Sequence, residues 1–282
     1  MQLEVDDQKE LESLAASGIR IPPQPKVLAE LRDKIAGGSY SVRTLTQIIS
    51  QDPGLVALLF KASRSPVFSR GRKFDSLDQV LQVLGVKQVY NLVQAAALST
   101  SVSNATRKLL DRFWARAGEV AELAAMIAED QVSVCNVFPD QAYMAGIFHQ
   151  CGVPVLMTRF PEYCKELDPD NPQFWASLAA EDAKFNVDHG SVGYLVSRHW
   201  GLPDFVCAAI RFFHEPPTEE SGAAISLVSI LQLAVQVHLQ IHLLANPVWD
   251  TIGDRVLEEV GLAPSELDDY LDDLSNRFRS AA

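Results

Sequence analysis

Ala145-Gly146-Ile147-Phe148-His149-Gln150-Cys151-Gly152 ends a helix that opens at Pro139-Asp140. Pro is favoured at a first helical position, where its missing N–H is not needed. The run of small apolar residues predicts a closely packed helix that delivers one histidine and then an amide. Hydrolases with helical cores place His and then Asp at such a point, because the two side chains hold a divalent metal together. Here the second residue is Gln150. A neutral amide gives a metal no anionic ligand and bridges two ions poorly.

Working outward, every other strong signal is helical. Ile21-Pro22-Pro23-Gln24-Pro25 forces an extended stretch, since Pro disfavours helix before it. Lys26 to Ile35 follows as helix, ended by Gly37-Gly38. Ser41 caps the next helix, and Asp52-Pro53 opens another with Asp as cap. Ser76-Leu77-Asp78-Gln79 has the form of a capping box. Val86 to Leu98, Asn104 to Asp130, Asn171 to Phe185, Asp188 to Trp200 and Pro203 to His214 carry helical apolar periodicity. A last helix starts at Ser265-Glu266-Leu267-Asp268. No stretch alternates apolar and polar residues long enough for a sheet, so the fold class is all-α. Residues 1–19 read as a weakly committed amphipathic helix.

Gly222 to Trp249 contains no Asp, Glu, Lys or Arg and is long enough to span a bilayer. Ser226, Ser229, Gln232, Gln236 and Gln240 nevertheless recur at spacings of three and four. That polar stripe predicts a buried core helix ending at Pro247, without membrane insertion.

The 282 residues carry 24 Lys and Arg against 36 Asp and Glu, a formal charge of -12. Such a surface repels nucleic acid phosphates and anionic lipid. Cys135, Cys151, Cys164 and Cys207 form no CxxC pair, which leaves a zinc ribbon or redox motif unsupported and fits reduced, buried thiols. The acidic N-terminus lacks the apolar region of a secretory signal. The expected location is the cytoplasm. P-loop, Gly-x-Ser-x-Gly and dinucleotide glycine motifs are absent from the sequence.

Several of these segments have a recognisable order: Ile48-Ile49-Ser50-Gln51-Asp52-Pro53-Gly54-Leu55, Ala62-Ser63-Arg64-Ser65, Ser76 to Gly85, Phe113-Trp114, Ala145 to Gln150, Asp188-His189-Gly190-Ser191-Val192-Gly193, Trp200-Gly201-Leu202-Pro203 and His214-Glu215-Pro216. Together they resemble the HDOD domain family, a bacterial branch related to the HD phosphohydrolases, over roughly residues 20–240. The resemblance implies an N-terminal helical lobe (20–105) packed on a degenerate HD-like lobe (106–282), with no attached receiver or output domain. It also implies signalling through protein–protein contact, in a family that has generally lost its full metal-binding set.

Under that resemblance His149, His189 and His214 stand at the family's histidine positions, Arg116 at its early histidine and Gln150 at its paired aspartate. The late aspartate should fall on the uncharged helix, which has no acid. Catalysis by metal-bound water is therefore not expected, and no cofactor, metal or catalytic residue is assigned. Two readings of the surviving residues stay open: hydrogen-bonded core histidines, or a pocket in which Arg116 and the histidines hold a small anion or nucleotide. A phosphohydrolase with an altered ligand set is the competing class. His238 and His242, four apart on one helix face, have metal-compatible spacing, but no acid or cysteine adjoins them in sequence. Lys61, Arg64, Arg70, Arg72 and Lys73 form a basic loop with no acid between Asp52 and Asp75. It is expected either to be plainly solvated or to dock an acidic partner or nucleotide.

Overall fold

The computed structural model describes residues 12, 14–69, 71–100, 107–163 and 178–281. Most of the N-terminal helix expected over residues 1–19, together with Arg70, Asn104, Cys164 and Asn171-Pro172, lies outside them. The regular elements among the described residues are all helices, with no strand among them. The chain divides into two compact units, Pro23–Val102 and the sequence flanking it, Met1–Pro22 with Ser103–Ser280.

The first unit contains α1 (Lys26–Ala36), α2 (Val42–Ile49), α3 (Pro53–Ser63), α4 (Pro66–Ser69), α5 (Leu77–Leu84) and α6 (Val86–Thr100). Its caps form as their residue types dictate. Ser41 accepts from the Thr44 N–H at 3.2 Å. Asp52 Oδ1 accepts from Gly54 and Leu55 at 2.9 and 3.1 Å, satisfying two otherwise orphaned donors. Ser76 accepts from Gln79, but the Gln79 side chain returns to the N–H of Asp75 rather than that of Ser76. Leu28, Leu31, Leu45, Ile49, Leu55, Leu59 and Val80 form its core.

The second unit is built around α7 (Arg107–Asp130). After the short α8 (Val132–Cys135) come α9 (Pro139–Phe148), α10 (Gly152–Arg159), α11 (Leu178–Phe185), α12 (His189–His199) and α13 (Asp204–Phe212). A 3-10 turn over Glu219–Ala224 leads into α14 (Ile225–Ile241), followed by α15 (Trp249–Val260) and α16 (Leu267–Ala281). α9 and α14 both pack on α7, α10 packs on α12, and α12 on α13. Two glycines make these approaches possible. A Cβ on Gly146 would sit 2.4 Å from the Cα of Ala121 on α7. One on Gly152 would sit 2.0 Å from the carbonyl oxygen of His189. The helix end that carries His149 is thus held against two backbones with no room for a side chain.

α14 is the uncharged segment. Its length and composition alone would pass for a membrane span, yet 72% of its most apolar window is buried inside the protein. Three members of the polar stripe bond within the protein, while Ser229 Oγ is buried with no hydrogen-bond partner among the described residues. Ser226 donates to Glu259 at 2.9 Å, and Gln236 accepts from Asn246 at 3.0 Å. Gln232 donates to the carbonyls of Phe213 and Glu215 at 2.8 and 2.7 Å. The helix stops at Ile241 rather than at Pro247, as the sequence suggested. His242 caps it and Leu243 turns left-handed at φ 58°. α15 then fills a segment where the charged sequence had given no clear helical signal.

Cys135, Cys151 and Cys207 are buried free thiols, as expected. Burial pushes Cys135 and Cys207 each up to about 11, so neither is a reactive thiolate at neutral pH.

Candidate functional site

α9 ends by presenting His149 and Gln150, both buried. His149 Nδ1–H donates to the carbonyl of Gly146, one turn back on its own helix. Its ring meets Phe213 edge-on at 4.9 Å, and Phe213 meets His214 at 4.8 Å. His214 in turn lies against His189, ring centroids 4.6 Å apart. The structure therefore brings His149, His189 and His214 into one row.

Asp188 caps α12 by accepting from Ser191 at 2.8 Å, which fixes His189 at the first helical position. Glu181 on α11, 3% exposed, faces it. Its Oε2 accepts from both the backbone N–H and the Nδ1–H of His189, each at 2.8 Å, and its Oε1 accepts from the Tyr163 hydroxyl. With Nδ1 protonated, His189 Nε2 is an acceptor and takes the Nε2–H of His214 at 2.7 Å. Both nitrogens of His189 are thereby committed to protein partners, and its side chain is fully buried.

Burial holds His149 and His214 neutral. It drives His149 down to about 4, with His189 and His238 adding smaller effects, and it carries His214 well below the usual imidazole range. Neutral buried imidazoles offer little charge to an anion. Arg116, half-buried on α7, acts on His238 of α14.

At that point the sequence reading needs correction. An acid does adjoin His238 and His242: Glu119, one turn beyond Arg116 on α7. Its Oε2 accepts from His238 Nε2 at 2.9 Å and from His242 Nε2 at 3.0 Å. The hydrogen bond from His238 holds the Glu119 carboxyl below its ordinary range, against its partial burial. Glu119 and Glu181 are the two residues that sequence reasoning missed. Glu119 lies 119 positions from its partner, and nothing local signals the pairing.

A two-metal HD centre does not fit the row of histidines. Gln150 Nε2 is a buried donor with no hydrogen-bond partner among the described residues, the opposite of a cation ligand. His189 has no free nitrogen, and α14 contributes no carboxylate. Lys61, Arg64, Arg72 and Lys73, in the other unit, are all exposed; Arg70 lies outside the described residues.

The family model of the HDOD domain matches residues 21–216. A curated relative from Treponema pallidum (strain Nichols), an uncharacterized protein, is 25% identical over 226 residues, which is 77% of this chain and 42% of the relative. The chain thus spans under half of that protein's length. Among solved structures, a candidate metal-dependent phosphohydrolase from Shewanella amazonensis SB2B superposes with TM-score 0.71 at 16% identity, over 99% of each chain. An HDOD domain protein of unknown function from Geobacter sulfurreducens gives 0.61 at 19% identity, again over 99% of each chain. A candidate signal transduction protein from Marinobacter aquaeolei VT8 gives 0.66 at 22% identity, over 100% of this chain and 60% of that one. These likenesses are of fold, and the match over residues 21–216 carries one conclusion: the chain belongs to the HDOD domain family.

Proposed function

We propose that this is a non-catalytic regulatory protein of bacterial signal transduction, acting in the cytoplasm through contact with a partner protein. The observation that carries this reading is the closed chain Tyr163–Glu181–His189–His214. It engages both nitrogens of His189 and the Nε2 of His214, atoms that an HD enzyme would give to metal. Docking is supported by the other unit. Lys61, Arg64, Arg72 and Lys73 are exposed, and none of them has an ion-pair partner among the described residues. Four uncompensated cations in a chain of net charge -12 suit an acidic protein surface. The alternative of an anion pocket at the histidines gains no support, because desolvation holds His149 and His214 below the usual imidazole range.

The test is a phosphodiesterase and nucleotidase assay of the purified chain with Mg²⁺, Mn²⁺ or Zn²⁺. The expected result is no turnover above that of a His149→Ala variant. Metal-dependent hydrolysis that disappears in His149→Ala would replace this reading with that of a phosphohydrolase using an altered ligand set.

A further inference from the structure

We propose that Glu119, His238 and His242 form a binding site for one divalent transition metal of the Zn²⁺ class, separate from the row of His149, His189 and His214. The three side chains come from two helices that pack directly, α7 and α14. His238 occupies the last turn of α14 and His242 is its cap, so a spacing of four sets both rings on one face, 4.6 Å apart. Their Nε2 atoms and the Glu119 carboxylate oxygen all lie within 4.8 Å of one another. Two imidazoles and one carboxylate, with a fourth position left open, is the donor set of many three-ligand zinc sites.

Protonation already suits a metal. Burial holds His238 below the usual imidazole range, and its hydrogen bond keeps Glu119 in the carboxylate form. Access is also provided. The side chain of His238 is 5% exposed, but those of Glu119 and His242 are 39% and 45% exposed. Ligands held at 2.0–2.1 Å around a tetrahedral ion stand about 3.3 Å apart. The present 2.9 and 3.0 Å separations must open slightly, and Glu119 and His242 are free enough at the surface to do it. Nitrogen donors select Zn²⁺, Ni²⁺ or Cu²⁺ over Mg²⁺ and Ca²⁺, which prefer oxygen.

Two features weaken the site in a readable way. Arg116 acts on His238 and opposes a second positive charge. His238 Nδ1 is buried with no hydrogen-bond partner among the described residues, so no neighbour supports the ligand ring. Loss of such support costs about 10–100-fold in affinity.

Isothermal titration of the metal-stripped full chain with ZnCl₂, NiCl₂ and MgCl₂ tests the proposal. Zn²⁺ and Ni²⁺ should bind one equivalent, Mg²⁺ none. His242→Ala, at an exposed position that should not disturb folding, and Glu119→Gln should each weaken Zn²⁺ binding at least about tenfold. Co²⁺ should give the absorption spectrum of a four-coordinate nitrogen and oxygen site, lost in both variants. Absence of Zn²⁺ binding, or binding unchanged in both variants, overturns the proposal. Binding here without phosphodiester hydrolysis leaves the regulatory reading in place.

Discussion

His149 sets an acid limit on the fold. Its pKa in the folded chain is about 4, against 6.5 for an unperturbed imidazole. Because the folded value is the lower one, the unfolded chain takes up the proton first. The associated stability is fully present above pH 6.5 and drains away as pH falls toward 4. Between pH 7 and pH 5 the loss from this one group is about 2 kcal/mol. His214 acts in the same direction. Urea unfolding should show wild-type stability falling over that interval, and His149→Asn should flatten the fall. An equal slope in the variant would mean that His149 is not buried neutral. At the same scale, Glu181→Gln turns one of the two acceptor oxygens shared by His189 and Tyr163 into an N–H donor. A loss of about 2–3 kcal/mol is expected, since a buried hydrogen bond to a charged group is broken.

At the scale of elements, the contact of α9 with α7 and of α10 with α12 rests on glycine. Gly146→Ala places a methyl 2.4 Å from the Cα of Ala121 and forces the helices apart. A cost of about 1–3 kcal/mol follows, measured as a lower urea midpoint. A Gly146→Ala variant as stable as wild type would contradict the packing. Leu243 offers the opposite test. It sits at φ 58° and 92% exposed, a conformation that suits glycine. Leu243→Gly should be neutral or raise stability by up to about 1 kcal/mol. These elements also show what could be read in advance. Ser41, Asp52, Ser76 and Asp188 marked helix starts because capping is a local interaction between neighbours. The end of α14 was misplaced because Pro247 is a stronger local stop than Leu243. α15 was overlooked because its apolar positions, Ile252, Val256, Leu257 and Val260, are diluted by four acids.

Across the whole molecule, sequence order exposed the family and the all-helical class, because the matching segments recur along residues 21–216. The chemistry of the site was less legible. His149, His189 and His214 were found through their place in that order. Glu181 and Glu119 were not, because the residues that pair with them lie on other helices. The docking proposed for the basic loop belongs to this scale, since the loop is cationic in an acidic chain. Reversing Lys61, Arg64, Arg72 and Lys73 to Glu should abolish capture of an acidic partner from the native host. The thermal melt should stay unchanged, because all four side chains are exposed.

The central claim is that His189 and His214 serve each other and Glu181 rather than a metal ion. Anomalous X-ray diffraction from crystals soaked in Zn²⁺ or Mn²⁺ tests it most directly. The account predicts no anomalous peak among His149, His189 and His214, with His189 and His214 still nitrogen to nitrogen at hydrogen-bond distance. A peak bound by those three imidazoles, with Glu181 swung in as a ligand, would contradict it.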